Sequence, residues 1–382
     1  MPIGIYALTL AAFAVGTAEF IVAGILPTLA GDLGVSIPVA GLLVTGYALG
    51  VAFGGPLLAL STAHLPRKAM IVAMVALFAL GQVLCALAPN YPTLLVARLL
   101  VALTHGLFFG NASIVATEMV PPERRGGAIA LVMAGVPAAN LLGVPAGALL
   151  GHWLGWRATF WAIGALALIA TVAIAFLLPR DLREEARPLP WRMQLKALLQ
   201  HRVLLSYLAI TVLLVGALAF GTYQVPFLTS ITGIPEAATP PYLFAYGIGA
   251  VIGILLGGRL ADWRLMPSVI GTLLALAAAS GLILLTMHVP TAMLATMGAL
   301  GAVGYAFSAP LQTRIIAAAA GAQTLAATFI ATAFNIGYAL GASTGAAVIS
   351  TGLGYTSLPV AGIVSGVAAA AISLWSWRLD RV

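Results

Sequence analysis

The sequence predicts an all-α integral membrane protein, with twelve spanning helices arranged as two pseudo-symmetric six-helix bundles. Three observations predict it. Of 382 residues, 62% are hydrophobic and only 7% charged, against about 25% charged in an average soluble domain. Lipid is the solvent that suits such side chains. Apolar runs of roughly 20 residues, the length that crosses a bilayer, recur between short polar loops. The later runs also echo the earlier ones: Tyr47, Gly50 and Gly54 return at the same spacing as Tyr246, Gly249 and Gly253, and Gly143, Gly147 and Gly151 as Gly337, Gly341 and Gly345.

In chain order the expected spans are 4–29, 37–61, 69–88, 93–119, 127–151 and 157–178, then 203–229, 240–261, 267–287, 291–313, 325–352 and 359–377. The first is too long for a signal-peptide core, is interrupted by Glu19 and lacks a basic leader, so it reads as a retained span. Six spans form an N-terminal bundle over 1–178, and six form a C-terminal bundle over 203–382. The polar stretch between them, 179–202, is a linker with a short amphipathic helix expected from Trp191 to Leu199.

Orientation follows from the bias of Lys and Arg toward cytoplasmic loops. One alternating set of connections holds Arg67, Lys68, Arg124, Arg125, the basic linker, Arg259, Arg264, Arg314, Arg378 and Arg381, whereas the opposite set holds Arg157. Both termini and the linker are therefore expected in the cytoplasm. The net charge of +7 is spread over these loops and not gathered on one face, so no nucleic-acid partner is expected. The single cysteine, Cys85, lies within a span, which excludes a disulfide framework.

Ionisable residues at membrane depth are costly and are functional candidates by default. Glu19 and Arg98 lie well inside their spans, and His105 falls near the bilayer centre. Glu19 is about nine residues, roughly 13 Å, from the outer end of its helix, and Arg98 about five residues, roughly 8 Å, from the end of its own. An arginine side chain spans that difference. Burial favours a neutral carboxyl and a nearby guanidinium favours the carboxylate, so small rearrangements would load and unload a proton at Glu19. The bland alternative is a static pair that fixes two helices. His105 is equally a titrating group, a donor to cargo, or a neutral residue bonded to a neighbouring helix.

Asn111, Asn140, Gln224 and Asn335, with Tyr223 and Tyr338, are uncharged polar groups at membrane depth. Each serves as interhelical glue or as part of a cavity wall. Phe20 and Phe109 join them as candidate cavity residues, while Phe160, Phe220 and Phe227 equally suit a core. Such a lining, rich in amides and phenols and poor in charge, suits neutral or weakly polar small molecules.

Four motifs together resemble the major facilitator superfamily, and within it the twelve-span drug:proton antiporters that include bacterial arabinose-efflux and chloramphenicol-resistance proteins. The first is Gly16-Thr17-Ala18-Glu19-Phe20 with Gly24 and Leu26-Pro27. The second is the loop after span two, where Arg67-Lys68 keep the basic end of Gly-x-x-x-Asp-Arg-x-Gly-Arg-Arg/Lys while Ala59, Ala63, His64 and Pro66 replace its other positions. Gly258 and Asp262 keep the front of the repeat of this motif, and Leu265 and Met266 replace its back. The third is Arg98 with His105-Gly106 and Phe108-Phe109, Ala102 standing where glycine is usual. The fourth, Gly143-Val144-Pro145-Ala146-Gly147 with Gly151, is similar to the exporter pattern Gly-Pro-x-x-Gly-Gly. Its glycines line one helix face for close approach, and Pro145 permits a bend.

The resemblance covers nearly the whole chain. It implies a multi-pass transporter of the bacterial inner membrane, monomeric, whose partners are a small-molecule substrate, protons and membrane lipid. Glu19, Arg98 and His105 would couple the proton, and Arg67, Lys68, Asp262 and the Gly143, Pro145, Gly147, Gly151 face would govern conformational change. Loss of the aspartate at position 63 weakens the usual charge latch. There is no Gly-x-x-x-x-Gly-Lys-Ser/Thr phosphate loop, so a gradient supplies the energy; no cofactor, metal spacing or nucleophilic triad stands out. Gly247-x-Gly249 with Gly253 lies in an apolar helix with no strand before it, which favours helix packing over dinucleotide binding. A gradient-independent facilitator, a sugar or nucleoside exporter, and more remotely an intramembrane enzyme with Glu19 and His105 as acid and base, are the alternatives.

Overall fold

A computed structural model describes residues 1–62, 66–121, 124–179, 198–319 and 323–380. Ala63 and His64 of the first basic loop, the linker charges from Arg180 to Lys196, most of the helix expected over Trp191–Leu199, and Arg381 lie outside the described residues. The described chain is helical. In order it comprises α1 (Ile3–Asp32), α2 (Ile37–Thr62), α3 (Arg67–Leu87), α4 (Tyr91–Glu118), α5 (Arg125–Met133), α6 (Gly135–Ala138), a π-helical turn (Ala139–Gly143), α7 (Val144–Leu154) and α8 (Trp156–Leu177). The second half holds α9 (His201–Gly221), α10 (Gln224–Ser230), α11 (Pro240–Trp263), α12 (Leu265–Thr286), α13 (Pro290–Ala306), α14 (Ser308–Ala318), α15 (Gln323–Ser350) and α16 (Leu358–Leu379).

Among the described residues eleven helical stretches are long and apolar enough to cross a membrane, and α15, with 28 residues, is a further long helix. In lipid each backbone N–H and C=O must be satisfied within its own segment, which favours helix wherever the side chains are apolar. The outward faces agree with that solvent: Phe176 is 84% exposed and Leu285 81%. Trp153, Trp263 and Trp375 are exposed near helix ends, where indole rings suit the interface.

Three expected spans are broken, and each break has a proline behind it. Proline lacks an N–H and its ring clashes with the carbonyl four residues back. Pro137 disturbs Met133, where α5 stops; Pro226 disturbs Thr222, between α9 and α10; Pro310 disturbs Ala306, where α13 stops. Pro145 frees the carbonyl of Leu141, and the bend expected there takes the form of the π-helical turn just before it. Gly155, at φ +84°, makes the sharp turn from α7 to α8.

The chain divides into two compact units, Met1–Ser36 with Gly46–Glu185 and Ile37–Thr45 with Ala186–Val382. In the first unit, α7 lies along α1 through Gly143 against Thr17, Gly147 against Ile21 and Gly151 against Ile25. In the second, α15 lies along α9 in the same manner: a Cβ on Gly337 or Gly341 would stand 2.7 Å from the Cβ of Leu214 or Leu218. Small residues thus set the helix separation in both units.

Arg314 corrects the sequence reading, which placed it in a loop. It lies within α14, is 7% exposed, and donates to Ser206 Oγ (3.2 Å) on α9, to Ser376 Oγ (2.6 Å) on α16 and to the carboxylate of Asp380 (2.9 Å). Arg202 pairs with the other oxygen of Asp380 at 2.9 Å. The expected span ended at 313; the helix continues to Ala318 and carries the arginine inward.

Candidate functional site

Arg98, Tyr47 and His105 of the first unit form one buried cluster. Arg98 of α4 is fully buried and one terminal nitrogen donates to the backbone carbonyl of Ala18 on α1 at 2.6 Å. The expected reach from α4 to α1 is therefore present, but its acceptor differs from the expectation. Among the described ion pairs none involves Glu19, although its carboxyl lies within electrostatic reach of Arg98. The static Glu19–Arg98 pair is corrected to a guanidinium held on the neighbouring carbonyl, because Ala18 presents its oxygen at the height the arginine reaches.

Beneath the guanidinium lies the ring of Tyr47 from α2, 4.1 Å from Arg98 Cζ and 1% exposed. A desolvated contact of this kind contributes about 2 kcal/mol. The Tyr47 hydroxyl meets Nδ1 of His105 at 3.0 Å, which makes His105 a residue bonded to a neighbouring helix. Its ring also lies 5.2 Å from that of Phe109. Arg98 Nε and its second terminal nitrogen, and both amide atoms of the fully buried Gln82 on α3, have no hydrogen-bond partner among the described residues. Leaving such groups buried is expensive.

Tyr47 is a site residue that the sequence reading leaves out, although the rule that singles out phenols at membrane depth applies to it.

Other candidates stay apart from this cluster. The amides of Asn111, Asn140 and Asn335 donate to Leu107, Val136 and Ala331, each four residues back in its own helix. That corrects the expectation of interhelical glue, since a short amide side chain reaches its own preceding turn first. Asn335 keeps a buried Oδ1 with no partner. Tyr223 is fully buried and its hydroxyl donates to the Ala342 carbonyl at 3.1 Å, so it is part of the packed wall. Gln224 beside it is 8% exposed. Tyr338 stands edge-on to Phe334, which stacks on Phe307, and Phe220 meets Phe227 edge-on. Phe20 is half-buried next to Glu19, whereas Phe160 is fully buried against Trp156.

Of the conformational motifs, Arg67 pairs with Glu118 at the end of α4, and Lys68 Nζ donates to the Leu178 carbonyl at 2.5 Å. Asp262 is exposed on the last turn of α11 and enters none of the described ion pairs. Gly143, Pro145, Gly147 and Gly151 are divided between the end of the π-helical turn and α7, along α1.

The family model of the Major Facilitator Superfamily matches residues 8–342. The inner membrane transport protein YdhP of Escherichia coli K12 is 40% identical over 374 residues, 95% of this chain and 93% of that protein. A chloramphenicol resistance protein of Streptomyces lividans is 34% identical, covering 94% of this chain and 91% of its own length. The putative transporter AraJ of Escherichia coli K12 is 32% identical with the same coverage. Among solved structures, a bacterial homologue of the human lysosomal transporter Spinster, inward-facing and unoccupied, aligns with TM-score 0.77 at 20% identity, over 98% of this chain and 96% of that one.

Proposed function

The chain belongs to the Major Facilitator Superfamily, and from that premise we propose that it is a proton-coupled antiporter that exports small neutral or weakly polar molecules by alternating access. That it is a multi-pass membrane transporter follows from the family and its relatives; coupling, direction and cargo are the proposal. The observation that carries it is the buried cluster of Glu19, Arg98, Tyr47 and His105, in which an intramembrane carboxyl is left out of the described ion pairs beside a fully buried cation. In a purely structural role the two charges would neutralise each other, because an unpaired buried charge costs several kcal/mol.

In this reading Glu19 takes a proton from outside and releases it inside. Occupancy by proton and by cargo favours opposite states, which couples the two fluxes. Both termini lie in the cytoplasm of a bacterial cell, and the protein acts as a monomer in the lipid of its inner membrane. In the first unit half-buried Phe20, Phe109 and Asn111 with Asn140, and in the second half-buried Tyr338 with Gln224, Asn335 and the wall residue Tyr223, are each proposed as cargo-contacting residues. The chloramphenicol-resistance relative supports beginning with that drug.

The test imposes an inward-acidic pH gradient on everted vesicles and follows its collapse on addition of chloramphenicol, arabinose or a purine nucleoside. Collapse by one compound, lost in Glu19→Gln, is the expected result. Uptake of labelled cargo that proceeds without a gradient and is unchanged in Glu19→Gln overturns the coupling and leaves a facilitator.

A further inference from the structure

We propose that Tyr47 is a positioning residue that parks the Arg98 guanidinium away from the Glu19 carboxyl, so that the carboxyl exchanges its proton instead of being held in a permanent ion pair. This rests on Glu19 as the proton-carrying group. The geometry is specific. Arg98 sits 4.1 Å over the Tyr47 ring and donates at 2.6 Å to the Ala18 carbonyl, so its position is defined by a ring on one side and a backbone oxygen on the other. The ring is itself anchored by its hydroxyl on His105 Nδ1 at 3.0 Å, with the two rings edge to face at 5.7 Å.

The backbone on either side of Tyr47 is clamped as well. A Cβ on Gly46 would stand 2.8 Å from Leu95 Cδ1, and one on Gly50 would stand 2.6 Å from Ala102 Cβ. Helix α2 therefore meets α4 one residue before the ring and again three residues after it, which holds the backbone that carries the ring. The ionisable groups that face it are Glu19 on α1, Cys85 on α3, and Arg98 and His105 on α4.

The second unit supplies an internal contrast. Tyr246 recurs at the place of Tyr47, but its ring meets Tyr305 edge-on at 6.4 Å, and at the same offset the buried, uncharged Met297 occupies the position that corresponds to Arg98. An aromatic ring at this place in the fold is thus compatible with packing alone; the cation above it distinguishes the first unit.

The experiment uses the full-length protein in liposomes and titrates the infrared band of the protonated carboxyl, assigned by its loss in Glu19→Gln. In Tyr47→Leu the guanidinium is free to join the carboxylate, and the titration profile moves to more acidic pH by about one unit. Tyr47→Phe keeps the ring but loses the anchor, and moves it by less than half as much. In an Arg98→Gln background the Tyr47 substitutions move the profile no further. A profile that stays in place in Tyr47→Leu, or moves equally without Arg98, overturns the proposal. Where the leucine variant does not fold, Tyr47→Phe carries the same test, and an unmoved profile overturns it. Displacement of the band together with normal gradient-driven transport in Glu19→Gln would defeat the antiport reading and leave the role of Tyr47 standing; absence of any Glu19 titration in the wild type would defeat both.

Discussion

Helices α2 and α4 of the first unit correspond to α11 and α13 of the second, and the two pairs differ in what lies between them. In the second, Gly249, Gly253 and Gly257 stand against the backbone of Gly298, Ala302 and Ala306, while Gly301 stands against the carbonyl of Tyr246. In the first, Gly50 faces Ala102 and Gly54 faces the end of Leu103, and the space beside them holds Tyr47, Arg98 and His105. The same contrast recurs on α1 and α9. Thr17 and Ile21 occupy the places of Leu214 and Leu218 against the matching glycines, which sets Glu19 opposite Gly216. That glycine is closed over by Ser365 and the Ala361 carbonyl. Where the first half carries Glu19 the second carries a glycine in backbone contact, and where it carries Arg98 the second carries the buried Met297. The helix crossings match in the two halves, whereas the cluster of Glu19, Arg98 and His105 belongs to the first.

The largest expected effect that separates the halves is on transport. Glu19→Gln should slow proton-driven transport roughly a hundredfold, in line with losing a proton-transfer group, while thermal unfolding of the purified protein changes little; a matching loss of folded protein would return Glu19 to a structural role. Stability should then show the reverse asymmetry. Asp380→Ala strips the acceptor from the buried Arg314 and from Arg202 and should cost about 2 kcal/mol. Arg157→Ala breaks a pair with Asp32 whose side chains are 40% and 49% exposed, leaves Asp32 bonded to Trp156, and should cost less than about 1 kcal/mol. Both are read from unfolding midpoints.

At matched glycines, Gly253→Ala forces a methyl onto the Ala302 backbone and should destabilise by about 2 kcal/mol. Gly54→Ala meets chiefly the mobile end of Leu103 and should cost less than half of that. Equal costs would mean that both helix pairs are packed alike. The smallest effect expected is that of Tyr246→Leu, which should leave the Glu19 titration profile unmoved; a shift like that of Tyr47→Leu would erase the distinction between the two rings.

Much of the cluster was legible beforehand. Glu19 and Arg98 stand out because charge is rare at membrane depth, and counting residues from the helix ends placed them at compatible heights. His105 was found in the same way. The choice of the Ala18 carbonyl over the Glu19 carboxylate was not legible, because the two acceptors are adjacent on α1 and differ only in the direction they face. Arg314 was misplaced for a related reason: hydropathy falls at the end of a span, whereas the helix and its burial continue one turn further, with Asp380 and two serines to receive the charge.

By itself the sequence determined the solvent, the helical class, the span boundaries to within a few residues and the bend that Pro145 brings. All of these depend on local chemistry: lipid exposes no hydrogen-bonding partner, so each segment must close its own backbone bonds, and proline withholds one. Only the tertiary structure decided which faces meet. Helices that are apolar on every side carry no stripe to mark an inward face, so their rotation is set by where glycines let backbones touch. That rotation brought Tyr47 under Arg98, turned its hydroxyl to His105 and left the Glu19 carboxyl out of the described ion pairs.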